Sequence, residues 1–123
     1  MPDDLKIRRI VPDIISGDIE GSRKFYGDFL GMELAMDMDW ILTFVSPKNP
    51  TAQVTLLKKS DSGIPVPDIS IEVEDVDVLH AQAVENGFEI VYPITDEPWG
   101  VRRFFVTDPN GKIINIVGHR DPA

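Results

Sequence analysis

A chain of 123 residues with 42% hydrophobic content amounts to one domain, enough to bury roughly two-thirds of the surface its unfolded form exposes. It has no cysteine, which excludes disulfide staples and thiolate metal sites. A net charge of −9 and a pI near 4.5 oppose a nucleic-acid backbone; the charge suits a solvated acidic surface or a cationic ligand. The N-terminal residues lack the form of a signal peptide, and no apolar run approaches the roughly 18 residues of a membrane span. The expectation is a soluble, cytoplasmic protein with no nucleic-acid and no membrane partner.

In chain order, Ile10, Val11, Ile14 and Ile15 form a β-prone run interrupted by Pro12, which suits an edge strand or a strand start. Asp18 then caps a helix on which Ile19, Ser22, Tyr26, Phe29 and Leu30 recur at helical spacing, and Gly31 stops it. Residues 32–38 read as a weak strand, 40–45 as a strong one, 47–50 as a turn and 52–58 as another strand.

The pattern then restarts. After a Gly/Pro/Ser/Asp linker at 59–67 come a strand over 68–73, a helix capped by Asp75 and ended by Gly87, and strands over 88–92, 101–107 and 112–117. The last two flank Asp108-Pro109-Asn110-Gly111, where Pro presets φ and Asn-Gly tolerates positive φ, so they read as a hairpin. Phe44-Val45-Ser46-Pro47 echoes Phe105-Val106-Thr107-Asp108-Pro109, and Val54-Thr55-Leu56-Leu57 echoes Ile114-Asn115-Ile116-Val117. Residues 1–123 are therefore one domain made of two βαβββ repeats, 8–58 and 68–118, joined by linker 59–67. Two units are a duplication rather than a solenoid.

The motifs Gly17-Asp18, Phe25-Tyr26 and Leu30-Gly31-Met32-Glu33-Leu34, followed later by the Phe105 to Gly111 stretch and the closing Ile113 to Ile116 strand, resemble the vicinal oxygen chelate superfamily. That superfamily groups glyoxalase I, extradiol dioxygenases, fosfomycin-modifying enzymes and bleomycin-resistance proteins. The resemblance implies an α+β fold in which two βαβββ units form an open, curved mixed β-sheet, a half-barrel with its helices outside. It also implies a ligand held on the concave sheet of a homodimer. The metal enzymes of the superfamily carry ligands at four inward positions, which fall here on Val11, Thr55, Asp68 and Asn115. Val11 donates nothing, Thr55 and Asn115 are neutral, and one carboxylate remains, so no metal and no other cofactor is expected. His80, on the second helix, and His119, at the C-terminal end, are expected to stay off the concave face.

Strand alternation then fills that face. Asn115 inward sends Ile114 and Ile116 under the helix, and Asp68 inward brings Ser70 and Glu72. Resemblance to the fosfomycin-modifying branch puts Phe105 inward, and Arg103 follows. Val11 inward brings Asp13. The candidate ligand-binding residues are thus Asp13, Trp40, Thr55, Asp68, Trp99, Arg103, Phe105 and Asn115: aromatic walls with a few polar groups, as a small-molecule pocket requires. Arg103 serves either a ligand anion or an ion pair with Asp13 or Asp68. Asp68 is at most a lone general base, and the catalytic residues are unknown. The function read from these features is metal-independent sequestration of a cationic or aromatic small molecule, of the bleomycin-resistance type. The alternative is a divalent-metal-dependent lyase, isomerase or dioxygenase of the same superfamily.

Overall fold

The computed structural model describes residues 7–59 and 62–119, which form two compact units: Ile10–Val66, and the residues up to Arg9 together with those from Pro67 onward. We call them the N-terminal and C-terminal units. The first three described residues, Ile7 to Arg9, thus belong with the C-terminal unit although they open the strand that enters the other.

In the N-terminal unit the strand order is β2-β3-β4-β1, with β1 (Ile7–Ile15), β2 (Glu33–Asp37), β3 (Ile41–Ser46) and β4 (Asn49–Leu57). β1 and β4 run parallel, Asp13 beside Thr55, while β3 is antiparallel to both β4 and β2. Helix α1 (Ile19–Ser22) is capped by Asp18, whose Oδ1 accepts the Gly21 N–H at 2.9 Å. It continues not as the expected α-helix but as a wider π-helical stretch, Arg23–Phe29, in which the Leu30 N–H reaches back five residues to the Phe25 carbonyl at 3.0 Å. That widening changes which side chains face the sheet. Ile19, Tyr26 and Met32 pack on the buried Leu42, Phe44, Val54 and Leu56, whereas Phe29 and Leu30, expected on the apolar stripe, are 72% and 52% exposed.

The C-terminal unit orders its strands β5-β8-β7-β6, with β5 (Ile69–Val73), β6 (Ile90–Asp96), β7 (Val101–Thr107) and β8 (Ile113–His119). Helix α2 (Val76–Glu85) starts at Asp75, which accepts the Val78 N–H, and chain reversal follows at Gly87, whose φ is +73°. Its core joins Val73, Val76, Ala83 and Phe104, with Ile71, Val106 and Ile116 packed against them. Two strands run further than the sequence implied. β6 continues through Pro93, an edge position where a missing N–H costs no ladder bond, and a tight turn at Glu97–Gly100 folds it onto β7. β8 extends to His119, opposite Val101.

The registers align the two units and amend the sequence echo. Thr43 lies opposite Thr55, and Phe105 lies opposite Asn115. If Thr55 matches Asn115, then Thr43, not Phe44, is the counterpart of Phe105. The motif likeness was one residue out because the two hairpins differ in length, and β3–β4 carries an irregularity after Val45.

Candidate functional site

One face of the C-terminal sheet is covered by α2; the other carries the polar and aromatic residues. Pairing sets them in rows: Ser70, Asn115, Phe105 and Tyr92 side by side across four strands, and Glu72, Val117, Arg103 and Thr95 in the next row. Ile116 and Phe104 point into the α2 core, as alternation requires.

Arg103 is the centre of this face. Its guanidinium carbon lies 5.2 Å from the ring centres of Tyr92 and Trp99 and 4.8 Å from that of Phe105. Its Nε and Nη2 both donate to Glu97 Oε2 at 2.6 Å, and the Tyr92 hydroxyl donates to the same oxygen at 3.0 Å. The Arg103 and Glu97 side chains are only 18% and 8% exposed. Three rings around a guanidinium stabilise it electrostatically, and three donors on one carboxylate oxygen disperse its charge. The ion pair considered with Asp13 or Asp68 is instead made with Glu97. Sequence reasoning missed Glu97 and Tyr92 because it ended β6 at Tyr92, leaving no hairpin to fold 92 and 97 onto 103. The signal present was Pro98 and Gly100 between two β-prone runs.

A second pair lies on the same face, where Arg9 Nε donates to Glu72 Oε2. His119 Nε2 is 3.4 Å from Arg9 Nη2 and 3.7 Å from Glu72 Oε2. His119 therefore stands at the end of the Asn115-bearing strand, on the same side, and not off that face as expected. His80 remains on α2, edge-on to Phe104 at 5.0 Å. Arg102, facing the other way, pairs with Asp77 and Asp96 at 2.9 and 3.1 Å, and these carboxylates, Asp77 first, hold its guanidinium above its usual pKa.

Asn115 is buried, its Nδ2 donating to Ser70 Oγ at 3.0 Å, and its Oδ1, itself closed off from solvent, has no partner among the described residues. An amide turned the other way would leave Nδ2 in that place, so one polar atom is unmatched in either orientation. An unmatched buried polar group costs roughly 1–3 kcal/mol and is rare in folded proteins.

The remaining candidates lie elsewhere. Thr55 and Asp13 share a row in the N-terminal unit, where the Thr55 hydroxyl meets that of Thr43 at 3.1 Å. Trp40 is 48% exposed on the turn before β3, not within that strand. Asp68 precedes β5 and is exposed; its Oδ2 accepts the Ile113 N–H at 2.9 Å and its own N–H bonds the Ile113 carbonyl. Sequence reasoning also missed a groove of about 420 Å³ in the N-terminal unit, between β1 and the helix, lined by Ile14, Ser22, Phe25 and Tyr26 among others.

The four positions where the resemblance implies metal ligands do not fit a transition-metal centre. Val11 is buried and apolar, Thr55 is engaged with Thr43, Asp68 is engaged with backbone, and Asn115 offers only an amide. Among the described residues, no three His, Asp or Glu side chains gather as a metal would need.

The chain belongs to the Glyoxalase/Bleomycin resistance protein/Dioxygenase superfamily, whose sequence model matches residues 6–116. Solved structures share the fold. A superfamily member from Vibrio splendidus is 18% identical with TM-score 0.65, over 92% of this chain and 99% of that one. An extradiol ring-cleaving dioxygenase from B. fuscum is 22% identical with TM-score 0.72, over 98% of this chain and 35% of the dioxygenase. The Mn(II)-bound glyoxalase from Novosphingobium aromaticivorans is 20% identical with TM-score 0.64, over 97% of this chain and 42% of the glyoxalase. This chain thus spans well under half of either enzyme. No curated protein sequence matches it. None of the described helices is long and apolar enough to cross a membrane.

Proposed function

We propose that this chain is a metal-independent small-molecule-binding protein that holds an aromatic ligand on the face of the C-terminal sheet opposite α2. The observation that carries the reading is the Arg103 guanidinium, held by Glu97 through Nε and Nη2 alone, beside the ring of the 57% exposed Trp99. The exposed indole supplies an apolar surface for an aromatic ring. Of the two ligand types expected from sequence, the aromatic one is favoured, because Arg103 already occupies the cation-binding faces of Tyr92, Trp99 and Phe105.

Metal independence rests on the donor set described above. The reading includes a homodimer, supported by apolar side chains left exposed on the N-terminal unit, among them Phe25, Phe29 and Leu30.

Calorimetric titration of the purified protein with a panel of aromatic compounds, alongside elemental analysis and light scattering, tests all three parts. Saturable binding by metal-free dimer supports the reading. Stoichiometric Mn, Fe, Ni or Zn with turnover on a superfamily substrate would replace it with the metal-enzyme alternative.

A further inference from the structure

Both ion pairs on this face are arranged the same way, with the carboxylate deeper than the cation. Glu97 is 8% exposed against 18% for Arg103, and Glu72 is 11% exposed against 29% for Arg9. What the face offers to solvent is therefore guanidinium, although the chain as a whole carries a net charge of −9. Arg103 spends only Nε and Nη2 on Glu97; its Nη1 has no hydrogen-bond or ion-pair partner among the described residues.

Asn115 lies on the same face but is closed off from solvent. Phe105 is opposite Asn115, and Arg103 is opposite Val117, so Arg103 and Asn115 are diagonal neighbours on one face. A ligand on this face therefore meets Arg103 and not the amide. The ring of Trp99, 5.2 Å from the Arg103 guanidinium and exposed on the turn, borders the same space.

Resting on the proposed binding role of this face, we infer that its ligand is a planar aromatic carboxylate. The carboxylate accepts from Arg103 Nη1, and the ring packs against the exposed part of Trp99 that the guanidinium leaves free. A guanidinium shared between Glu97 and a ligand anion is left one positive charge short. The Glu97 charge is already spread over three donors, and Arg9 with Glu72 lies two strands away in the same row, about 10 Å at the usual strand spacing. Arginine suits this task because its planar fork binds two oxyanions at once, which a lysine ammonium does not do with the same geometry. A cationic ligand, by contrast, finds both carboxylates turned inward.

The test uses three probes with one ring system: 2-naphthoate, 2-naphthamide and 2-naphthylmethylammonium, titrated into the full chain by calorimetry with tryptophan fluorescence as a second readout. The naphthoate is expected to bind roughly tenfold more tightly than the amide, about 1.4 kcal/mol, and the ammonium more weakly than either. Arg103→Lys is expected to remove most of the naphthoate advantage while leaving amide binding in place, and Trp99→Ala to weaken all three probes. Thermal melts confirm that each variant is folded; if Arg103→Lys is not, Trp99→Ala and the salt dependence of naphthoate binding carry the test. Amide or ammonium binding as tightly as naphthoate overturns the carboxylate assignment and leaves the binding role standing. Naphthoate binding unchanged in the folded variants overturns the placement. Failure of every probe, with naphthoate included, overturns both the ligand class and the binding role.

Discussion

Glu97 and Arg103 stand at the two ends of the β6–β7 turn, and one carboxylate oxygen of the first takes two guanidinium donors of the second at 2.6 Å. The turn that joins them is closed by the Glu97 N–H on the Val101 carbonyl and the Gly100 N–H on the Glu97 carbonyl, so backbone bonds close residues 97–101 inside the span that the side-chain pair bridges. A partly buried pair of this kind is costly to break from one side only, because the partner is left charged and dry.

Glu97→Ala should therefore lower unfolding stability by about 1–3 kcal/mol, less than the roughly 3–5 kcal/mol of a fully buried pair because Arg103 keeps some access to water. Replacing both residues, as Glu97→Gln with Arg103→Met, should cost less than the two single changes summed. Urea midpoints of the four proteins in the cycle measure this. A loss below roughly 0.5 kcal/mol for Glu97→Ala would reduce the pair to an ordinary surface contact.

Gly118 in β8 lies under α2, where an added Cβ would sit 2.7 Å from Val76 Cγ2 and 3.2 Å from the Val73 carbonyl oxygen. The backbone oxygen cannot move aside. Gly118→Ala should cost roughly 1–3 kcal/mol by overpacking, seen as a lower melting temperature with the secondary structure intact. An unchanged melting temperature would mean that α2 can shift away from the sheet.

The buried hydroxyls of Thr43 and Thr55, 3.1 Å apart, satisfy one another. Thr55→Val should destabilise by about 1–2 kcal/mol by orphaning Thr43, whereas Thr43→Val combined with Thr55→Val should regain most of that loss. Additive single losses in chemical denaturation would show that the hydroxyls bond other groups.

Asp108 accepts the Lys112 N–H at 2.9 Å and the Asn110 N–H at 2.8 Å within the β7–β8 turn, and these bonds, the first above all, hold its carboxyl below the ordinary 3.8. A depressed folded pKa contributes stability that is complete above the unfolded value and is lost as pH falls through the folded one. Asp108→Ala should thus be less stable than the parent at neutral pH, with the gap narrowing below 3.8 and closing in stronger acid. A gap that stays constant across that range would assign the loss to turn geometry rather than to charge.

Much of the architecture was legible in the sequence because it is written in local signals. Asp18 and Asp75 mark helix starts, Gly31 and Gly87 mark the chain reversals, and Asp108 to Gly111 marks a hairpin; the structure places each in that role. The alternation that set Asn115, Arg103 and Phe105 on one face was legible for the same reason. What was not legible depends on contacts that no period encodes. Tyr92 and Glu97 join Arg103 only because β6 passes through Pro93, a residue that argues against a strand unless the strand is at an edge. The π-helical turn that swings Phe29 outward has no sequence signature at all. Asp68 was placed by analogy with a strand position, yet its side chain turns back to the backbone at Ile113.

Thr43 and Phe105 occupy equivalent positions in the two halves, as do Thr55 and Asn115, yet one row is tied off by a hydroxyl pair and the other keeps an unmatched amide within an aromatic wall. The shared strand topology therefore does not repeat the proposed site. On the proposed function, a molecule that needs an indole beside a guanidinium meets them once per chain, so saturation at one equivalent rather than two is the expected stoichiometry.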